Sequence, residues 1–162
     1  MQEVITMWKN VKMVILTSLC AAIYAAVLIP FKGFTIIPGV TEFRPACVLP
    51  SVFGILFGPA GAWGTAIGNL IGDLLGGTFG INAVFGFIGN FLLAFIPYRM
   101  WNKFIKLDVK EENLFKLNSA KKIITYIIGT TLGAMACGMS IGWGQEIFNI
   151  LKNFTTTIQE EI

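Results

Sequence analysis

Apolar runs and short polar breaks alternate along the chain, and the breaks set the element boundaries. The first run, "VKMVILTSLCAAIYAAVLI" (residues 11–29), follows Lys9 and Lys12 and stops at Pro30. It has about the length of one membrane span. It is longer than a usual signal h-region, and "LIPFKGF" at its end lacks a small-x-small cleavage site, so it reads as a retained first helix. The stretch "PFKGFTIIPGVTEFR" (30–44) reads as a long loop broken by Pro30, Gly33, Pro38 and Gly39. Residues 45–77 are too long for one span and are split by "GPAG" at 58–61. The split predicts two short helices, about 46–57 and 60–75, joined by a tight turn. A fourth segment covers about 81–98, a polar stretch covers 99–122, and a fifth segment covers about 123–142. The tail, "WGQEIFNILKNFTTTIQEEI", is mixed and too polar to read as a span. The fold class is therefore all-α: a polytopic membrane bundle of five visible helices in one domain (1–162), the second and third short and rich in glycine.

Composition agrees with this pattern. The chain is 55% hydrophobic and 13% charged, against about 25% charged residues in a typical soluble domain. So many apolar side chains exceed what one small core can bury. No histidine is present, which removes the commonest general base and metal ligand. Cys20, Cys47 and Cys137 lie in apolar runs without CxxC spacing and read as small hydrophobes. With no phosphate loop, zinc spacing or hydroxyl beside a base, neither an enzyme nor a cofactor is expected. The net charge of +3 offers no nucleic-acid face.

Charge does set topology. Lys9 and Lys12 precede the first segment, and Arg99, Lys103, Lys106, Lys110, Lys116, Lys121 and Lys122 lie between the fourth and fifth. Four crossings separate the two groups, so both fall on one side, the cytoplasmic one by the positive-inside rule. This puts the N-terminus in the cytoplasm of a multi-pass plasma-membrane protein and the 30–44 loop outside.

Four constellations stand out. Gly64, Gly68, Gly72 and Gly76 recur every four residues, the spacing of a close helix seam in lipid; a pore wall is the functional alternative. Ser18, Ala22 and Ala26, with Ala21 and Ala25 beside them, form a second small-residue row, either internal packing or a docking face for another membrane protein. Asn69 and Asp73 share one helix face; a charge at mid-bilayer costs ~2.5–3.5 kcal/mol, so they bind solute or hydrogen-bond across helices, or Asp73, near the helix end, sits in the interface. Asn82 and Asn90 lie on the fourth segment. In the outer loop, Glu42 and Arg44 stand between Pro38 and Pro45, which stiffen the chain; they grip a ligand or anchor the loop at the interface. Trp143 and Gln145 in "GWGQE" pair a stacking surface with an amide, which suits a planar polar ligand.

The passage "IIPGVTEFRPACVLPSVFGILFGPAGAWGTAIGNLIGDLLGG" with "FGFIGNFLLAFIPYRMW", together with the first-segment alanine row, resembles the S components of energy-coupling factor (ECF) transporters. The "EFR" of residues 42–44 is similar to the "QFR" region of the queuosine-precursor (QueT-like) branch. The resemblance implies a six-helix bundle that captures a vitamin-like solute from outside. It also implies partners: a membrane-embedded T component, docked on Ala21, Ala22, Ala25 and Ala26, and two cytoplasmic ATPases. By position, Glu42, Arg44, Asn82, Trp143 and Gln145 lie near the ligand. Only five helices are visible, so the tail is an amphipathic outer helix or the chain is truncated. The expected function is that of a non-enzymatic S component binding a planar, nitrogen-rich solute (a queuosine precursor or vitamin) at its outer face. The alternative is a small oligomeric channel or exporter.

Overall fold

A computed structural model describes residues 2–31, 35–37, 41–42, 45–77, 79–106 and 119–160. They form a membrane helical bundle, with three helices long and apolar enough to cross a bilayer and shorter apolar helices packed among them. A short helix α1 (Gln2–Thr6) precedes α2 (Val11–Phe31). Asn10 caps α2, its Oδ1 accepting the Lys12 N–H at 3.0 Å, the usual remedy for an orphan first-turn donor. Pro30, expected to end this helix, lies inside its last turn. A proline that near the end forfeits only one ladder bond.

The stretch after α2 contains a feature the alternation pattern did not show. Strands β1 (Thr35–Ile37) and β2 (Thr41–Glu42) pair antiparallel, Thr35 opposite Glu42. The β-branched "TII" suits this geometry. A single 3₁₀ turn (Pro45–Cys47) then leads into α3 (Val48–Phe57), and α4 (Pro59–Leu75) follows at once. The expected tight turn is Gly58, at φ 60°, with Pro59 opening α4. A Cβ at Gly58 would also stand 3.0 Å from the Tyr98 ring. Gly58→Ala should therefore lose about 1–3 kcal/mol of stability, read as a fall in thermal midpoint in detergent.

Helix α5 (Ile81–Trp101) runs back through the bundle and continues into a π-helical turn (Asn102–Lys106). Pro97, fully buried inside α5, cannot donate to the Leu93 carbonyl four residues earlier. Ser51 on α3 turns its hydroxyl to that carbonyl at 3.5 Å. Hydroxyls on neighbouring helices commonly make good such losses in membranes.

Helix α6 (Ala120–Glu160) runs past the expected span and takes in the tail, for which a helix is one of the two readings. The fifth segment does not end near residue 142, and the tail continues it as helix to Glu160. At 1.5 Å per residue it is about 60 Å long, twice the hydrocarbon thickness of about 30 Å.

Two seams hold the bundle. Gly64, Gly68 and Gly72 on α4 face α2: a Cβ at Gly68 would stand 2.7 Å from the Ala21 carbonyl oxygen and 3.0 Å from the Tyr24 Cβ. The glycine row is thus an internal seam from Gly64 to Gly72, while Gly76 caps the end of α4 and is exposed. Along the second seam α6 packs antiparallel on α5, Gly129 against Pro97, Gly133 against Leu93, Cys137 against Gly89 and Gly144 against Phe85. The α5 partners recur every four residues, one helical ridge. Small residues bring the backbones close enough for dispersion contacts to replace the hydrophobic drive that lipid does not supply.

Candidate functional site

The polar residues of the spans converge at one place. Asn69 and Asp73 are one turn apart on α4, and Asn69 Nδ2 donates to Asp73 Oδ2 at 2.9 Å. Both are buried, Asn69 to 2% exposure and Asp73 to 9%. Gly86 on α5 lies over them; a Cβ there would stand 3.0 Å from Asn69 Nδ2 and 3.8 Å from Asp73 Oδ2. One turn further along α5, Asn90 donates to the Gly86 carbonyl at 2.9 Å. The Tyr24 hydroxyl of α2 donates to Asn90 Oδ1 at 2.8 Å. Three helices thus contribute to one polar cluster inside an otherwise apolar bundle.

The cluster has a definite depth. Asp73 stands two residues from the end of α4 and Gly86 five residues into α5. Both positions belong to the half of the bundle that carries the strands, opposite the end rich in Lys and Arg. Apolar packing closes it from the side: Tyr24 and Leu28 of α2 pack with Ala46, flanked by Val27 and Leu49.

One group in the cluster is unsatisfied. Asn69 Oδ1 is buried without a hydrogen-bond partner. Its orientation follows from chemistry, because the amide must turn its N–H₂ toward a carboxylate and so turns its oxygen away. Leaving such an acceptor unmade costs ~1–3 kcal/mol. The oxygen is left as a buried acceptor on the side of the amide away from Asp73, where it can take an N–H. Among the described residues no group of three or more His, Cys, Asp or Glu gathers as a metal site would require.

The other residues singled out from sequence lie on α2, β2, α5 and α6 or outside the described residues. Asn82 is exposed at the start of α5, and Trp143 and Gln145 are exposed on α6, Trp143 to 75%. Glu42 contributes its backbone to β2; its side chain and all of Arg44 lie outside the described residues. The alanine row is divided. Ala21 and Ala25 are buried in the α4 seam, whereas Ala22 and Ala26, with Ser18, are exposed on the outer side of α2.

The structure adds Tyr24 and Gly86 to the site and gives Asn90 its place in it. Polar side chains in apolar runs were the available signal for Tyr24 and Asn90. Gly86 carried none, because its role is to let α5 approach α4.

A family model described as QueT transporter matches residues 14–162. No curated protein and no solved structure matches.

Proposed function

Because the chain belongs to the QueT transporter family, we propose that it is the substrate-capturing S component of an ECF-type importer. The family makes the chain a membrane transporter for a small substrate and points to a non-enzymatic role. The finer reading is that it binds a planar, nitrogen-rich solute of the queuosine-precursor type from outside the plasma membrane, its N-terminus in the cytoplasm, and passes it on with a T component and two ATPases.

The observation that carries this reading is the buried, unpaired Asn69 Oδ1, one turn from the Asp73 carboxylate on α4. A ring N–H of the solute would satisfy that oxygen, and a hydrogen bond to a carboxylate such as Asp73 is roughly twice as strong as one between neutral partners. The β1–β2 ribbon, which includes the backbone of Glu42, follows α2 at the same end of the bundle. A pore through the glycine row has no support within one chain, because α2 fills that face.

Native mass spectrometry of the purified chain tests the binding reading: one retained small molecule of the deazapurine class is expected. Release of only lipid and detergent, with no uptake of added solute, would overturn it. The exposed ridge tests the coupling reading. Ala22→Trp and Ala26→Trp should abolish co-purification with a T component while solute binding persists. Co-purification unchanged in both would remove this ridge from the interface.

A further inference from the structure

The chain ahead of α2 makes a contact that spanning the membrane does not explain. Helix α1 and the 3₁₀ turn after it (Met7–Lys9) fold back on α4 at the end of the bundle opposite the polar cluster. Trp63, in the second turn of α4, receives them. Its indole Nε1 donates to the Val4 carbonyl at 3.3 Å. Its ring meets the Trp8 ring edge-on, the centroids 5.7 Å apart. Met7, between Val4 and Trp8 in the chain, is buried to 5% exposure. Helix α1 has five residues, and an isolated helix shorter than about 12–15 residues is marginal in water. Its order therefore comes from docking, which makes residues 2–9 a strap with two states, docked and released.

The dock is shared with α5. The same indole lies 5.1 Å from the Phe91 ring and 6.1 Å from the Phe87 ring, centroid to centroid. Phe87 and Phe91 directly follow Gly86 and Asn90 in the chain, and those two belong to the polar cluster. A helix cannot move at Gly86 without carrying Phe87 with it. One side chain, Trp63, thus touches both the strap and the turns of α5 that cover the Asn69 amide.

Solute has to disturb those turns. Asn69 Oδ1 is fully buried. The amide that carries it lies so close under α5 that a Cβ at Gly86 would stand 3.0 Å from its nitrogen. A ligand atom that reaches this oxygen needs room, and close-packed helices yield it only by moving apart. We propose that solute entry lifts α5 from α4 at Gly86, shifts Phe87 and Phe91 against Trp63, and releases the strap. Occupancy of the site is then reported at the opposite end of the bundle. This coupling rests on the solute-binding reading of Asn69 and Asp73. It needs no wire of residues beyond one two-state element whose balance both ends bias.

The test reads strap release as exposure of a thiol. Met7→Cys is introduced into the full chain with its three native cysteines replaced by alanine, in phosphatidylcholine nanodiscs. The rate of labelling by a water-soluble maleimide is measured, with Lys9→Cys, at an exposed position, as the unhindered reference. Trp63→Phe keeps a ring and removes the N–H, and should speed labelling at position 7 about three- to tenfold. Gly86→Val, which wedges α5 from α4, should speed it with no solute present, and the milder Gly86→Ala should act in the same direction by less. Saturating deazaguanine, a planar probe with ring N–H groups, should speed it in the otherwise unchanged chain. Labelling at the parent rate in both Gly86 variants overturns the coupling. So does deazaguanine bound one-to-one in native mass spectrometry with no change at position 7. Faster labelling in the Gly86 variants without any binding of deazaguanine supports the link from α5 to the strap and counts against the solute reading instead.

Discussion

Asp73→Asn should leave the bundle folded and weaken solute binding about 10- to 100-fold, the ~1.5–3 kcal/mol of one hydrogen bond to a charged group. The substitution is nearly isosteric. Asn69 Nδ2 can still donate to the new amide oxygen, so the α4 turn keeps its internal bond. What is lost is the negative charge facing N–H donors. An equilibrium binding assay with a thermal midpoint for each variant separates the two effects. Affinity equal to the parent at an unchanged midpoint would remove Asp73 from the site. Asn69→Ala is a useful companion, because it deletes a buried acceptor with no partner in the empty protein. It should cost solute affinity and, because Asp73 also loses the Asn69 N–H, about 1–3 kcal/mol of stability. A large stability loss with intact binding would make the cluster purely structural.

Gly68→Ala should destabilise the bundle by about 1–3 kcal/mol, and Gly68→Leu should prevent accumulation of folded protein. The Cβ at this position meets the Ala21 carbonyl oxygen at 2.7 Å. A backbone atom in the middle of a helix cannot rotate away, so α2 and α4 must separate along the seam. Separation also moves Tyr24, whose hydroxyl bonds Asn90, so solute affinity should fall in step with stability. Gly138 on α6 is the contrasting position. A Cβ there meets nothing within 4 Å, and Ala should be neutral or gain up to ~1 kcal/mol from helix propensity. Thermal denaturation of both alanine variants in one detergent checks the pair. Equal responses would show that the seam is not close-packed.

Several features were readable without coordinates. The helices up to residue 101 lie close to the boundaries the apolar runs predict, and "GPAG" marks the α3–α4 turn. The glycine row signalled a close seam because a four-residue spacing of small side chains makes a flat helix face. Other features were not readable. The four alanines of α2 look equivalent in sequence, yet the α4 seam takes Ala21 and Ala25 and leaves Ala22 and Ala26 exposed. Asn82, Trp143 and Gln145 are near the ligand by the resemblance, and they stand exposed on α5 and α6. The polar tail masked the continuation of α6, because hydropathy measures whether a segment enters lipid and not whether it is helical.

Hydropathy and helical period are local properties, so the sequence by itself determined that this chain lives in a membrane, where its main helices run and which end carries the positive charge. The tertiary structure alone decided which polar groups meet. Tyr24 and Asn90 are 66 residues apart, and their bond exists because glycines let α2 and α4 approach and let α5 lie over Asn69. In a medium without water a buried polar side chain must find its partner among such neighbours, and which neighbours it has is a matter of packing.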